Sequence, residues 1–134
     1  MASLKTENGV SFSLEAAMKD PGMSGSIGFT CEFDNGMVKL SFPVEIWFYL
    51  EDLEAFVLQS AAHPFDVRKL QLKPFSDLKV EFKNAEDASH IVVSLIFVNY
   101  NYETELRTKF ETDIASLSLF AKELEAEAYR FLQG

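Results

Sequence analysis

Apolar and polar residues alternate with a period of two along the first third of the chain, then change to helical spacing near residue 50. Val10, Phe12, Leu14, Ala16 and Met18 interleave with Ser11, Ser13, Glu15 and Lys19, the signature of a strand with one buried face. Asp20 to Gly25 carries turn chemistry, with Pro21 to preset φ and two glycines. Ile27, Phe29, Cys31 and Phe33 line one face of a second strand, and Asp34-Asn35-Gly36 is a hairpin signal. A third strand puts Val38, Leu40, Phe42, Val44, Ile46 and Phe48 on one side. Its other side carries Lys39, Ser41, Pro43, Glu45, Trp47 and Tyr49. Pro43 donates no ladder hydrogen bond, so the strand lies at an edge or bulges there.

From Leu50 to Ala62 the spacing of Leu50, Leu53, Phe56, Val57, Ser60 and Ala61 predicts a helix, which His63-Pro64 ends. Short strands are expected around Leu70–Leu72 and Leu78–Phe82, followed by a polar turn over Asn84–Ser89. His90 to Val98 is apolar on both faces and predicts a central, covered strand. Tyr100-Asn101-Tyr102 reads as a loop or bulge, and a last strand turns Leu106 and Phe110 inward. Thr112 and Asp113 open a C-terminal helix with Ile114, Leu117, Phe120, Ala121, Leu124, Ala128, Phe131 and Leu132 on one face. The predicted fold is α+β: one domain over residues 1–134, an antiparallel sheet of about six or seven strands, and two helices packed on one face.

Composition narrows the function more than it names one. At 134 residues, 48% hydrophobic and 13 Phe, the chain suits a single bulky-cored domain that needs no metal or disulfide to fold. The net charge of −9 argues against nucleic acid as partner. No apolar run reaches half a membrane span, so no membrane partner is expected. The start lacks the layout of a signal peptide and Cys31 stands alone, which together imply a reducing, cytoplasmic setting. Residues 1–66 hold 3 bases against 10 acids, whereas residues 67–134 hold 9 against 11, so the acidity is concentrated early.

Candidate chemistry is sparse. Cys31 with His63 or His90 could form a nucleophile and its base, but its place among Ile27, Phe29 and Phe33 points to a buried, inert thiol. No metal-ligand spacing and no glycine-rich phosphate loop occurs, so neither a metal nor another cofactor is expected and no catalytic residue is assigned. The acidic runs at Glu51-Asp52-x-Glu54 and Glu123-x-Glu125-x-Glu127 fit a helix start and a solvated helix face. Trp47 and Tyr49 are more informative. They fall on the polar face of their strand and run into Glu51, Asp52 and Glu54, a mixture of aromatic anchors and steering charges suited to a basic protein partner. The competing reading is that a helix covers that face, or that the register shifts at Pro43.

Residues 44–58, His90-Ile-Val-Val-Ser-Leu and the run from Leu106 to Phe120 resemble small bacterial immunity proteins of the wall-associated-toxin (WapI-type) kind. The resemblance covers about residues 38–132, with strands, helix, strands and a closing helix in the same order. The family often has Gly where Ser89 stands and Gln where Ile114 stands. The resemblance implies a non-enzymatic inhibitor that blocks a cognate toxin, commonly a nuclease domain. The residues alone leave two alternatives open: a small-ligand-binding or enzymatic domain with a site assembled from distant positions, and a subunit of a homo-oligomer.

Overall fold

A computed structural model describes residues 1–20, 25–75, 77–87, 89–99 and 104–134. The antiparallel strands and two helices of the expected α+β fold are present, with the strands divided between two sheets. The first contains β1 (Ala2–Lys5), β2 (Ser11–Lys19), β3 (Ser26–Asp34), β4 (Lys39–Ser41) and β5 (Ile46–Tyr49). The second is β6 (Leu78–Asn84), β7 (His90–Asn99) and β8 (Thr104–Asp113), with β7 central. Helix α1 spans Leu50–Ser60, α2 spans Ile114–Gln133, and Val67–Lys69 forms one 3-10 turn. Residues 21–24 of the expected first turn and the expected loop or bulge at 100–102 lie outside the described residues.

Strand β1 is an addition to the expected elements. It is only four residues long, and its hairpin with β2 closes through Thr6, whose backbone carbonyl accepts from Gly9 while its amide donates to Val10. Asn35-Gly36 makes the expected hairpin between β3 and β4. Gly36 takes φ +87°, and the Asn35 side chain accepts from the Met37 and Val38 amides at 3.0 and 2.8 Å. The expected strand over 38–48 breaks in two around Pro43, and both pieces pair with β3. Phe33 faces Leu40 and Phe29 faces Ile46, so the outer strand carries two more residues than β3 across the break. Val44, expected inside, is pushed out to 46% exposure. The short strand expected around Leu70–Leu72 does not form: both leucines are buried, but the segment joins neither sheet. Gln59 Oε1 of α1 accepts from the Gln71 amide at 2.8 Å, which ties this segment to a helix side chain rather than to a ladder.

Both sheets turn their apolar faces to one core. Phe120 of α2 packs on Phe12 of β2, and Phe56 of α1 stacks on Phe82 of β6. The sheets meet each other through Phe33–Phe110 and Phe42–Phe97. On the far side of the second sheet, Ile96 is buried between its register partners Lys79 and Arg107. Long side chains whose aliphatic stems lie over apolar surface account for this burial without another layer. No helix among the described residues is long and apolar enough to cross a membrane.

Helix α2 begins at Asp113, whose carboxylate accepts from the Ser116 amide at 2.7 Å and from the Ser116 hydroxyl at 3.0 Å. The Ser116 amide is the main reason its pKa is lowered from 3.8. Replacing Asp113 with Ala should cost about 1 kcal/mol at neutral pH. Because the folded pKa is depressed, this contribution is complete above the unfolded value and is lost as pH falls through the folded one. Urea melts of wild type and Asp113→Ala should therefore differ at pH 7 and converge in acid.

Candidate functional site

Strand β5 carries the aromatic residues singled out in the sequence. Ile46 and Phe48 are fully buried, so strand alternation sends Trp47 and Tyr49 to the opposite, outer face. Trp47 lies opposite Gly28 and Tyr49 opposite Ser26. The indole covers Gly28 so closely that a Cβ at that position would sit 2.8 Å from Trp47 Cε2 and 2.9 Å from Cζ2. Only glycine allows this approach. Both helices pack toward the inner side, so the covering helix weighed against an exposed Trp47 is not what shields it.

A third ring, missed in the sequence, completes the surface. The Phe75 amide donates to the Trp47 carbonyl at 3.0 Å, which holds the chain after Pro74 beside β5. The Phe75 ring stacks on Tyr49 at 4.6 Å and lies 6.5 Å from Trp47. Phe75 is nevertheless 44% exposed, and Met18, the register partner of Gly28 on β2, is 46% exposed. The only sequence signal for Phe75 was an apolar residue between Pro74 and polar neighbours, which does not reveal its partner.

The five residues proposed from the sequence do not all share this face. Glu51 and Asp52 occupy the first turn of α1 immediately after Tyr49, its N-cap. Tyr49 makes no side-chain cap, so the two carboxylates are the groups that complement the helix dipole. Glu54 instead faces Tyr129 across the α1–α2 contact, and its nearby carboxylate raises the Tyr129 pKa. It belongs to the helix seam. Glu45 takes its place in the aromatic surface, with its Cβ 3.2 Å from where a Gly28 Cβ would sit.

The residues weighed for catalysis are kept apart. Cys31 is 2% exposed, and its pKa is pushed up to about 12, chiefly by burial and secondarily by the Glu32 carboxylate. It is a thiol at neutral pH. His90 lines a separate polar recess with Lys5, Glu7, Glu111 and Asp113. Ser89 Oγ and Asp87 Oδ2 each lie 3.1 Å from His90 Nδ1. A hydrolytic triad needs its hydroxyl and carboxylate on opposite ring nitrogens. Here both crowd one nitrogen, and Ser89 donates to Asp87 Oδ1 at 2.9 Å. The Ser89 amide also donates to Asp87 Oδ1, at 3.0 Å, and this bond, followed by that from the hydroxyl, leads the causes of the lowered Asp87 pKa. The cluster is an exposed turn. His63 is exposed, and no group of three or more potential metal ligands occurs among the described residues.

The Gly28 contact can be checked directly. Gly28→Ala should drive the Trp47 ring off the sheet, shift its emission to the red and cost about 1 kcal/mol, near the low end for overpacking because a surface ring can swing away. Unchanged emission would show that the ring does not rest on Gly28. Cys31 should alkylate slowly in the native protein and rapidly in denaturant. No family model, no curated protein and no solved structure matches this chain.

Proposed function

We propose that this chain is a non-catalytic protein-binding module, an immunity-like inhibitor that holds a basic, nuclease-type toxin domain against the outer face of its first sheet. The observation that carries this reading is the partly exposed aromatic cluster of Trp47, Tyr49 and Phe75, bordered by Glu45 and leading into Glu51 and Asp52. Aromatic anchors rimmed by charge are the usual anatomy of a binding hot spot. Arginine and lysine on a partner could lie over these rings and meet the carboxylates together.

Charge also favours an unlike partner over a second copy. A chain of net charge −9 repels itself, whereas a domain built to hold a polyanion is basic where its substrate sits. Such a pair gains fast association from long-range attraction, while its lifetime depends on the buried rings.

A pull-down from the native host tests the reading. Trp47→Ala should recover the same basic partner with affinity weakened roughly 30-fold or more, mainly through faster dissociation. Changing Glu45, Glu51 and Asp52 together to Lys should slow association and flatten its salt dependence. Glu54 is left unchanged because it supports the helix seam. Lysines oppose the dipole at the start of α1 and cost about 1 kcal/mol, so the triple variant must first show wild-type circular dichroism. Equal recovery by all three proteins would move the interface elsewhere, and recovery of no protein partner would overturn the reading.

A further inference from the structure

The two sheets part along a seam between β3–β4 and β7–β8. Phe33 meets Phe110 at 6.2 Å and Phe42 meets Phe97 at 5.0 Å, yet the facing side chains do not close the gap. A cavity of about 160 Å³ remains, walled chiefly by Phe33, Leu40, Phe42, Phe97 and Leu106, with the Cys31 thiol also on its wall. None of the described side chains that line it is charged. We propose that this cavity is a binding site for a small, uncharged, apolar ligand about the size of a single aromatic ring.

Size, wall chemistry and access support the same ligand class. Native interiors seldom keep voids larger than a water molecule. An apolar cavity of roughly 150 Å³ stays dry and accepts benzene or xenon. The cavity opens to solvent beside Ser41, Pro43 and Leu106, and its described walls offer water few polar partners besides Cys31 and Ser41, whereas a well-held water usually makes about three hydrogen bonds. Displacing poorly held water with an apolar group is favourable. Phenylalanine rings on both sheets can meet a ring edge or face. Leu106, at 46% exposure, marks the rim through which a ligand would enter. The cavity lies on the inner side of the first sheet and does not depend on the outer-face interface.

Benzene and xenon are the probes, with benzoate as the charged control, read by methyl resonances of the whole chain and by thermal midpoint. Benzene and xenon should shift the Leu40 and Leu106 methyls saturably, and benzene should raise the midpoint, while benzoate does neither. Leu106→Trp, a rim substitution, should weaken benzene binding at least tenfold. Leu40→Phe, which enlarges a wall residue, gives the same readout should the first variant fail to fold. Absence of saturable shifts up to the solubility of benzene would overturn the proposal. So would equal binding by wild type and a folded cavity-filling variant, or equal binding of benzoate.

Discussion

The surface and the core both depend on how many extra residues the outer strand carries where it breaks beside β3. Two extra residues separate the Phe33–Leu40 pairing from the Phe29–Ile46 pairing. An even offset preserves the inward and outward alternation, so Leu40 on one side of the break and Ile46 and Phe48 on the other point into the same core. An odd offset would bury Trp47 and Tyr49 and expose Ile46 and Phe48. Pro43 makes the break tolerable, since a residue with no amide to donate loses least by leaving the ladder.

That one constraint also places Trp47. With Phe48 paired to Ile27 inside, Trp47 must lie over position 28 outside, where glycine leaves room for the indole. The same strand end delivers Tyr49 as the N-cap of α1, so the helix starts with its positive dipole end beside the aromatic face. Glu51 and Asp52 then stabilise the helix and contribute negative charge next to the rings. Local helix energetics and surface electrostatics are satisfied by the same residues.

Where a pattern was local, the sequence disclosed it. The alternation through β2 and β3, the Asn35-Gly36 hairpin and the apolar face of α2 depend on neighbours a few residues away. Asp113 and the following helix were legible for the same reason. Features set by distant pairing were not. The division into two sheets depends on which strand β6 chooses, and no periodicity records that choice. Leu70 and Leu72 show strand-like alternation, yet a Gln59 side chain takes the Gln71 amide that a ladder would have used. For the site, Trp47 and Tyr49 were visible as aromatics on a polar face. Phe75 was hidden because its contact with Tyr49 arises only after the chain returns to the β5 edge. Glu54 stands apart from the rings because acidic proximity in sequence does not tell which side of a helix a residue occupies; its approach to Tyr129 of α2 sets it toward the other helix.

The two faces of the first sheet accordingly differ in what they would offer a partner or ligand. Its outer face ends in rings that are partly wet, fixed from below by Gly28 and from the side by Phe75. Rings held this way lose little conformational freedom when a partner covers them, so more of the contact energy is retained on binding. The inner face is dry except along the seam, where Phe42 and Leu40 emerge from the same break that set the strand offset. At that seam the chain has already left regular pairing, and Phe42 retains a bond from its amide to the Cys31 carbonyl at 2.9 Å. A local break in one ladder therefore has two consequences: it preserves the orientation of the outer aromatics and leaves the sheet seam incompletely filled.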